Sequence, residues 1–221
     1  MIPFSIEEFL SVFEQYNLSV WPMQVFLYLL AVIALILVFI QKDQTDKVIN
    51  SILAFFWLWM GIVYHLFNFS SINKAAYLFG VLFIVQGGLF AYVGFFRSEK
   101  LKYQFTLDFT TILGMLFILY ALVIYPILAH SLGHIYPVTP TFGLPCPTTI
   151  FTFGILLFSI QRIPWYILLI PFLWSFIGFS AAMHLTIKED FGLVVAGVLG
   201  TVALLFFKPR QNRLVSNFSA S

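Results

Sequence analysis

Long apolar runs recur along almost the whole chain, separated by short polar breaks. They fall at roughly 20–40, 49–69, 74–96, 107–129, 147–161, 164–184 and 190–207. Most approach the roughly 20 residues that a helix needs to cross a bilayer. None alternates polar and apolar positions as a barrel strand would. Seven spans are therefore expected, with sequential neighbours antiparallel because the connections are brief. The fifth is the shortest, and Pro164 divides it from the sixth. Residues 5–17, ahead of the first run, follow another pattern. Ile6, Phe9, Leu10 and Phe13 recur at helical spacing, with Glu7, Glu8 and Glu14 off that face. Ser5 and Glu8 fit a capping box. The pattern predicts a short amphipathic helix on the outer surface, either an anchor packed on the bundle or a lid over an outward-facing site.

Composition fixes the class. Only 9% of the 221 residues are charged and 61% are hydrophobic, whereas a soluble domain carries roughly a quarter charged residues. The expected fold is an all-α, polytopic membrane helix bundle of about seven transmembrane helices, one domain over 1–221, with the lipid bilayer as its partner. A net charge of +2 without a dense basic cluster excludes nucleic acid as a partner. Cys146 is the only cysteine, which excludes an intrachain disulfide and a cysteine-built zinc site. The first 17 residues hold three glutamates and no basic region, so they do not read as a signal peptide. With seven spans, nine basic residues between Lys42 and Arg213 fall on one side and Lys74 and Lys188 on the other. Basic residues are retained on the cytoplasmic side, so N-out/C-in in the cell membrane is expected.

The stretch 130–150, HSLGHIYPVTPTFGLPCPTTI, links spans four and five with four prolines and two glycines and carries no Lys, Arg, Asp or Glu. None of these occurs from Phe109 to Gln161. A helix from Pro147 to Gln161 rises only about 22 Å against a hydrocarbon core of about 30 Å. If Arg162 pins its inner end, its outer end stops at membrane depth, and the loop must dip in to meet it. Irregular backbone is tolerated there only inside protein or beside a water-filled cavity, and charge is costly. The segment is thus expected to fold into the outer half of the bundle, as a plug or as a cavity wall.

The polar residues within the spans suggest two functional classes. The first is a non-enzymatic protein that binds or passes a small solute or ion through an outward-opening cavity, as a permease, channel or sensor. Its candidate lining is His65, Gln86, His134, Cys146, Thr148 and Thr149. Gln86, beside Gly87 and Gly88 near mid-membrane, also suits an interhelical hydrogen bond. The second class is a metal-dependent membrane enzyme. Its candidate ligands are His65, His130, His134 and His184, all in the outer half, with Glu189 and Asp190 close by. His130 and His134 are spaced i, i+4, which places a pair on one face only if the helix continues through Gly133. Asp108 reads as a charge at a helix N-terminus. Ala196 with Gly200 and Gly197 with Thr201 read as close-packing pairs. The cofactor, the oligomeric state and the solute stay open.

The strings GHIYPVTPTFGLPCPTTIFTFG (133–154), YHLFNFSSINKAAYLFGVLFIVQG (64–87) and EDFGLVVAG (189–197) resemble an uncharacterised family of bacterial polytopic membrane proteins, loosely labelled permease-like. That resemblance implies a membrane location and no catalytic residue. Retinal proteins share the seven-span topology but need a lysine in the last span, and 190–207 has none. Seven-span zinc hydrolases of the ceramidase and progestin-receptor type combine His with Asp and Ser. Here Asp108 and the histidines fall at opposite faces.

Overall fold

A computed structural model describes residues 3–40, 42, 44–185 and 187–208. Among these the chain is all-helical: α1 Ile6–Val20, α2 Met23–Ile40, α3 Thr45–Ser71, α4 Ala76–Phe96, α5 Phe109–Ser131, α6 Pro145–Leu156, α7 Trp165–Leu185 and α8 Lys188–Phe207. The six helices other than α1 and α6 are long and apolar enough to cross a membrane, which is compatible with a multi-pass membrane protein.

Local sequence explains the helix ends. Ser5 caps α1 through Glu8 N (3.2 Å) while Glu8 Oε2 accepts from Ser5 N (2.7 Å), completing the expected box. Asp108 caps α5 by accepting from Thr111 N at 2.9 Å. At the other end of α5, Gly133 adopts φ +94°, Gly133 N donates to His130 O and His134 N donates to Ala129 O. This is a Schellman stop, and only glycine enters it without strain. The helix therefore ends before His134, and His130 and His134 do not share a face.

Close packing organises the bundle. Gly80, Gly87 and Gly94 recur every seven residues along α4 and face α3. A Cβ on Gly87 would lie 3.0 Å from Ala54 O, and one on Gly94 would lie 2.7 Å from Asn50 Cβ. Small residues let backbones approach in lipid, where no hydrophobic force draws helices together. The pair sites of α8 work similarly, Gly197 against Ser175 and Gly200 against Phe153.

The centre is α6. Every residue of it except Cys146 is buried, so it is apolar all round, as a helix enclosed by others must be. A Cβ on Gly114 of α5 would lie 2.7 Å from Gly154 O, which shows how tightly α5 and α6 meet. The helix has 12 residues, a rise of about 18 Å. It stops at Leu156, short of the expected Gln161. Beyond it the backbone extends and pairs with the α4–α5 connection, Gln104 N donating to Phe158 O and Ile160 N to Lys102 O, both at 3.0 Å. Pro164 disfavours helix for the residue before it, which helps to keep this segment extended. Before α6, residues 131–136 are largely exposed, but Pro140 and Phe142–Pro145 are buried. The expected inward fold thus begins at Pro140, not at His130.

Candidate functional site

The two halves of α1 are held differently. Its C-terminal half is tied by polar bonds. Asn17 Nδ2 donates to Pro137 O (2.6 Å) and Thr139 O (2.8 Å), Thr141 Oγ1 donates to Asn17 Oδ1 (2.7 Å), and Gln24 Nε2 donates to Asn17 O (2.8 Å). Trp59 Nε1 donates to Tyr16 OH at 2.8 Å. Its N-terminal half rests on aromatic contacts. Phe9 packs edge-on against Phe13 and Phe69, and Phe13 meets Tyr64. The inward face is Phe9, Val12, Phe13 and Tyr16, while Ile6 is exposed. The expected face is therefore turned slightly.

Beneath that aromatic half lies a cavity of about 310 Å³. Phe4, Phe9 and Phe13 cover it. Tyr64, Phe69, Phe79, Tyr125 and Trp174 form walls, and Leu144–Pro147 close the side where α6 begins. Exposed lining residues Ala75, Ile177 and Ser180 mark a mouth between the start of α4 and the last turns of α7. Among the described residues Asp190 is the one ionisable carboxyl on the lining, and it is 5% exposed. Its Oδ1 accepts from Tyr125 OH at 2.5 Å. The Cys146 thiol lies against it, and a Cβ on Gly178 would meet both Cys146 Sγ (3.4 Å) and Trp174 Nε1 (3.6 Å). Trp174 Nε1 is buried with no oxygen acceptor, only that sulfur nearby.

Two wall residues sit at irregular helix turns. The C-terminal end of α3 widens to a π-helix over Met60–Asn68, which carries Tyr64 and His65, and α5 does so over Tyr120–Ile124, just before Tyr125. Such turns break the 3.6 register and re-aim the side chains that follow, and they concentrate at functional sites.

The structure disperses most of the sequence-based candidates. Cys146 alone of the six lines the cavity. His65 is fully buried behind the wall among Tyr64, Phe69, Phe79, Phe83 and Trp174, and neither ring nitrogen has a partner. Gln86 Nε2 donates to Ile167 O at 3.0 Å, joining α4 to α7. This is the interhelical role rather than the cavity role. Thr148 Oγ1 accepts from Gly143 N at 3.0 Å, and Thr149 Oγ1 is buried without a partner. His134 Nδ1 pairs with the fully buried Glu189 Oε1 at 2.7 Å, outside the cavity. His184 Nδ1 bonds back to Ser180 O at 2.7 Å within α7, and His130 is exposed. Among the described residues no three of His, Cys, Asp and Glu are placed to hold a metal ion. The four histidines share an end of the bundle without sharing a site.

Sequence reasoning placed Asp190 near the histidines but missed its position at the cavity. It gave Tyr125 no role. The signal available was the position of Asp190 at the start of an apolar run, since an ionisable residue within a span is costly unless it serves a site.

At the opposite end, partial burial pushes the Asp108 carboxyl up. Hydrogen bonds from Thr110, Thr106 and Thr111 N, with Lys208 4.0 Å away, outweigh it and hold Asp108 well below the usual carboxylate range. Lys208 is thus a cation beside Asp108.

The model of a family of unknown function, DUF6064, matches residues 6–216. No curated protein and no solved structure matches the chain. The chain belongs to that family.

Proposed function

We propose that this member of a family without assigned activity is a multi-pass protein of the cell membrane that binds a small solute in the cavity under α1. The observation that carries the reading is the cavity itself. It has about 310 Å³ of aromatic-walled space, polar groups gathered at the Asp190 pole, and a lid fixed at one end only. That volume is at the lower end of the range of small-molecule sites, which are mostly apolar with a few convergent polar groups. Below it α6 fills the centre of the bundle, which favours binding or sensing over open conduction. With the basic connections on the cytoplasmic side, the cavity faces outward.

The unique thiol at Cys146 provides the test. A membrane-impermeant maleimide added to the outer face of right-side-out vesicles should alkylate Cys146 slowly. Trimming the lid with Phe9→Ala and Phe13→Ala should speed the reaction at least tenfold. A rate unaffected by the lid, or reaction from the inner face alone, would overturn the reading.

A further inference from the structure

The chemistry of the lining narrows the solute, an inference that rests on the binding role proposed above. Asp190 is buried at the cavity wall, and its described neighbours are the Tyr125 hydroxyl, which donates to it, and the Cys146 thiol, neither a counter-charge. The His134 imidazole is engaged by Glu189. Lys74 and Lys188 flank the region in sequence but are exposed and do not line the cavity. Among the described residues no Lys, Arg or His lines it at all. A carboxylate buried in apolar surroundings is costly without a counter-charge. The remaining wall is aromatic. The faces of Trp, Tyr and Phe attract organic cations, most strongly when water is excluded. The mouth between α4 and α7 is bordered by Ile177, an exposed apolar residue. Such an entrance suits a solute that partitions into the membrane. Trp174 Nε1, buried and without an oxygen acceptor on the same wall, leaves a donor free for a polar atom of the solute.

We infer that the cavity binds a lipophilic organic monocation of the ammonium class, with Asp190 as its counter-charge and the aromatic wall around its head. The ion supplies the charge that Asp190 lacks, and its apolar body replaces empty space beneath Phe9 and Phe13. No covalent step is involved.

The test uses two probes of one shape, benzyltrimethylammonium and its uncharged carbon isostere neopentylbenzene. Each is titrated against the full-length protein in lipid nanodiscs. Protection of Cys146 from N-ethylmaleimide reports occupancy at this cavity. The cation should protect at concentrations at least tenfold lower than the isostere. In Asp190→Asn, which keeps an acceptor for Tyr125 OH, that ratio should fall toward one. Equal protection by both probes in the unaltered protein, or a preference that survives Asp190→Asn, would overturn the cation assignment while leaving the binding role intact. Protection by neither probe would overturn both. The comparison within the unaltered protein stands even if the variant fails to fold.

Discussion

The two ends of α6 pose the same physical problem and answer it differently. A helix of 12 residues is too short to cross a bilayer core, so irregular backbone must lie at depth on both sides of it. On the proposed orientation the C-terminal end of α6 is the inner one, and there the irregular chain is largely engaged, although Arg162 Nε is buried without a partner. Residues 158–160 pair with 102–104, Asp46 Oδ1 accepts from Tyr103 N at 2.9 Å, Tyr103 OH donates to Asn50 Oδ1 at 2.8 Å, and Gln161 Nε2 donates to Glu99 O. At the outer end the chain from Pro140 to Pro147 borders a cavity, and unpartnered polar atoms remain nearby on Thr149, Trp174 and His65. Buried polar groups in a finished core are nearly always paired. The inner end therefore reads as structure, and the outer end as a place kept open.

The sharpest way to break this contrast lies between the two ends. Gly114→Leu drives a side chain into the Gly154 carbonyl, 2.7 Å from where its Cβ would sit. The expected loss is about 3 kcal/mol, the upper part of the usual overpacking range, measured as a fall in thermal unfolding temperature in detergent. Full stability in this variant would mean that α5 and α6 are not in close contact.

At the inner end, Tyr103→Phe leaves Asn50 Oδ1 buried without its donor. The expected cost is about 1–3 kcal/mol, with Cys146 alkylation unchanged. A changed alkylation rate at wild-type stability would show that the inner end also serves the cavity.

Two threonines on α6 sharpen the contrast within one helix. Thr152 accepts from Trp57 Nε1 (3.1 Å) and donates to Thr148 O (2.8 Å). Thr152→Val should cost about 1 kcal/mol or more. Thr149 has no partner, so Thr149→Val should be neutral or stabilising, because it removes an unsatisfied buried hydroxyl. Chemical or thermal denaturation of the two variants side by side decides it. Equal losses would mean that Thr149 has a partner in the membrane.

The smallest effect concerns pH at the inner end. Asp108 is held below its unfolded value, so its contribution is present above roughly pH 4 and is lost as pH falls through the folded value. Asp108→Asn should lower stability near pH 7 and flatten the acid limb of the stability–pH profile, so that the two proteins converge at low pH. A difference that persists unchanged into strong acid, or no difference near pH 7, would contradict this assignment.

The sequence was most informative where local rules act alone. The apolar runs located the six long helices within a few residues, and Ser5–Glu8 and Asp108 announced their caps. The absence of charge from Phe109 to Gln161 marked the segment that enters the bundle. The site was less legible. Shared depth suggested that His65, His130, His134 and His184 belonged together, but depth gives one coordinate and a site needs three. Which side of a helix faces which neighbour depends on rotation about its axis, and π-turns in α3 and α5 alter that rotation without any strong local signal.

The sequence by itself therefore determined the all-helical class, the order of the apolar helices and the uncharged inward segment. These follow from backbone hydrogen bonding and the cost of charge in hydrocarbon. Only the tertiary structure decided that Asp190 lies beside Cys146 and Tyr125, that Gln86 bonds to α7, and that α1 roofs the cavity with its aromatic half. These residues are far apart in the chain, and their meeting is set by how glycine seams let whole helices approach and turn against one another.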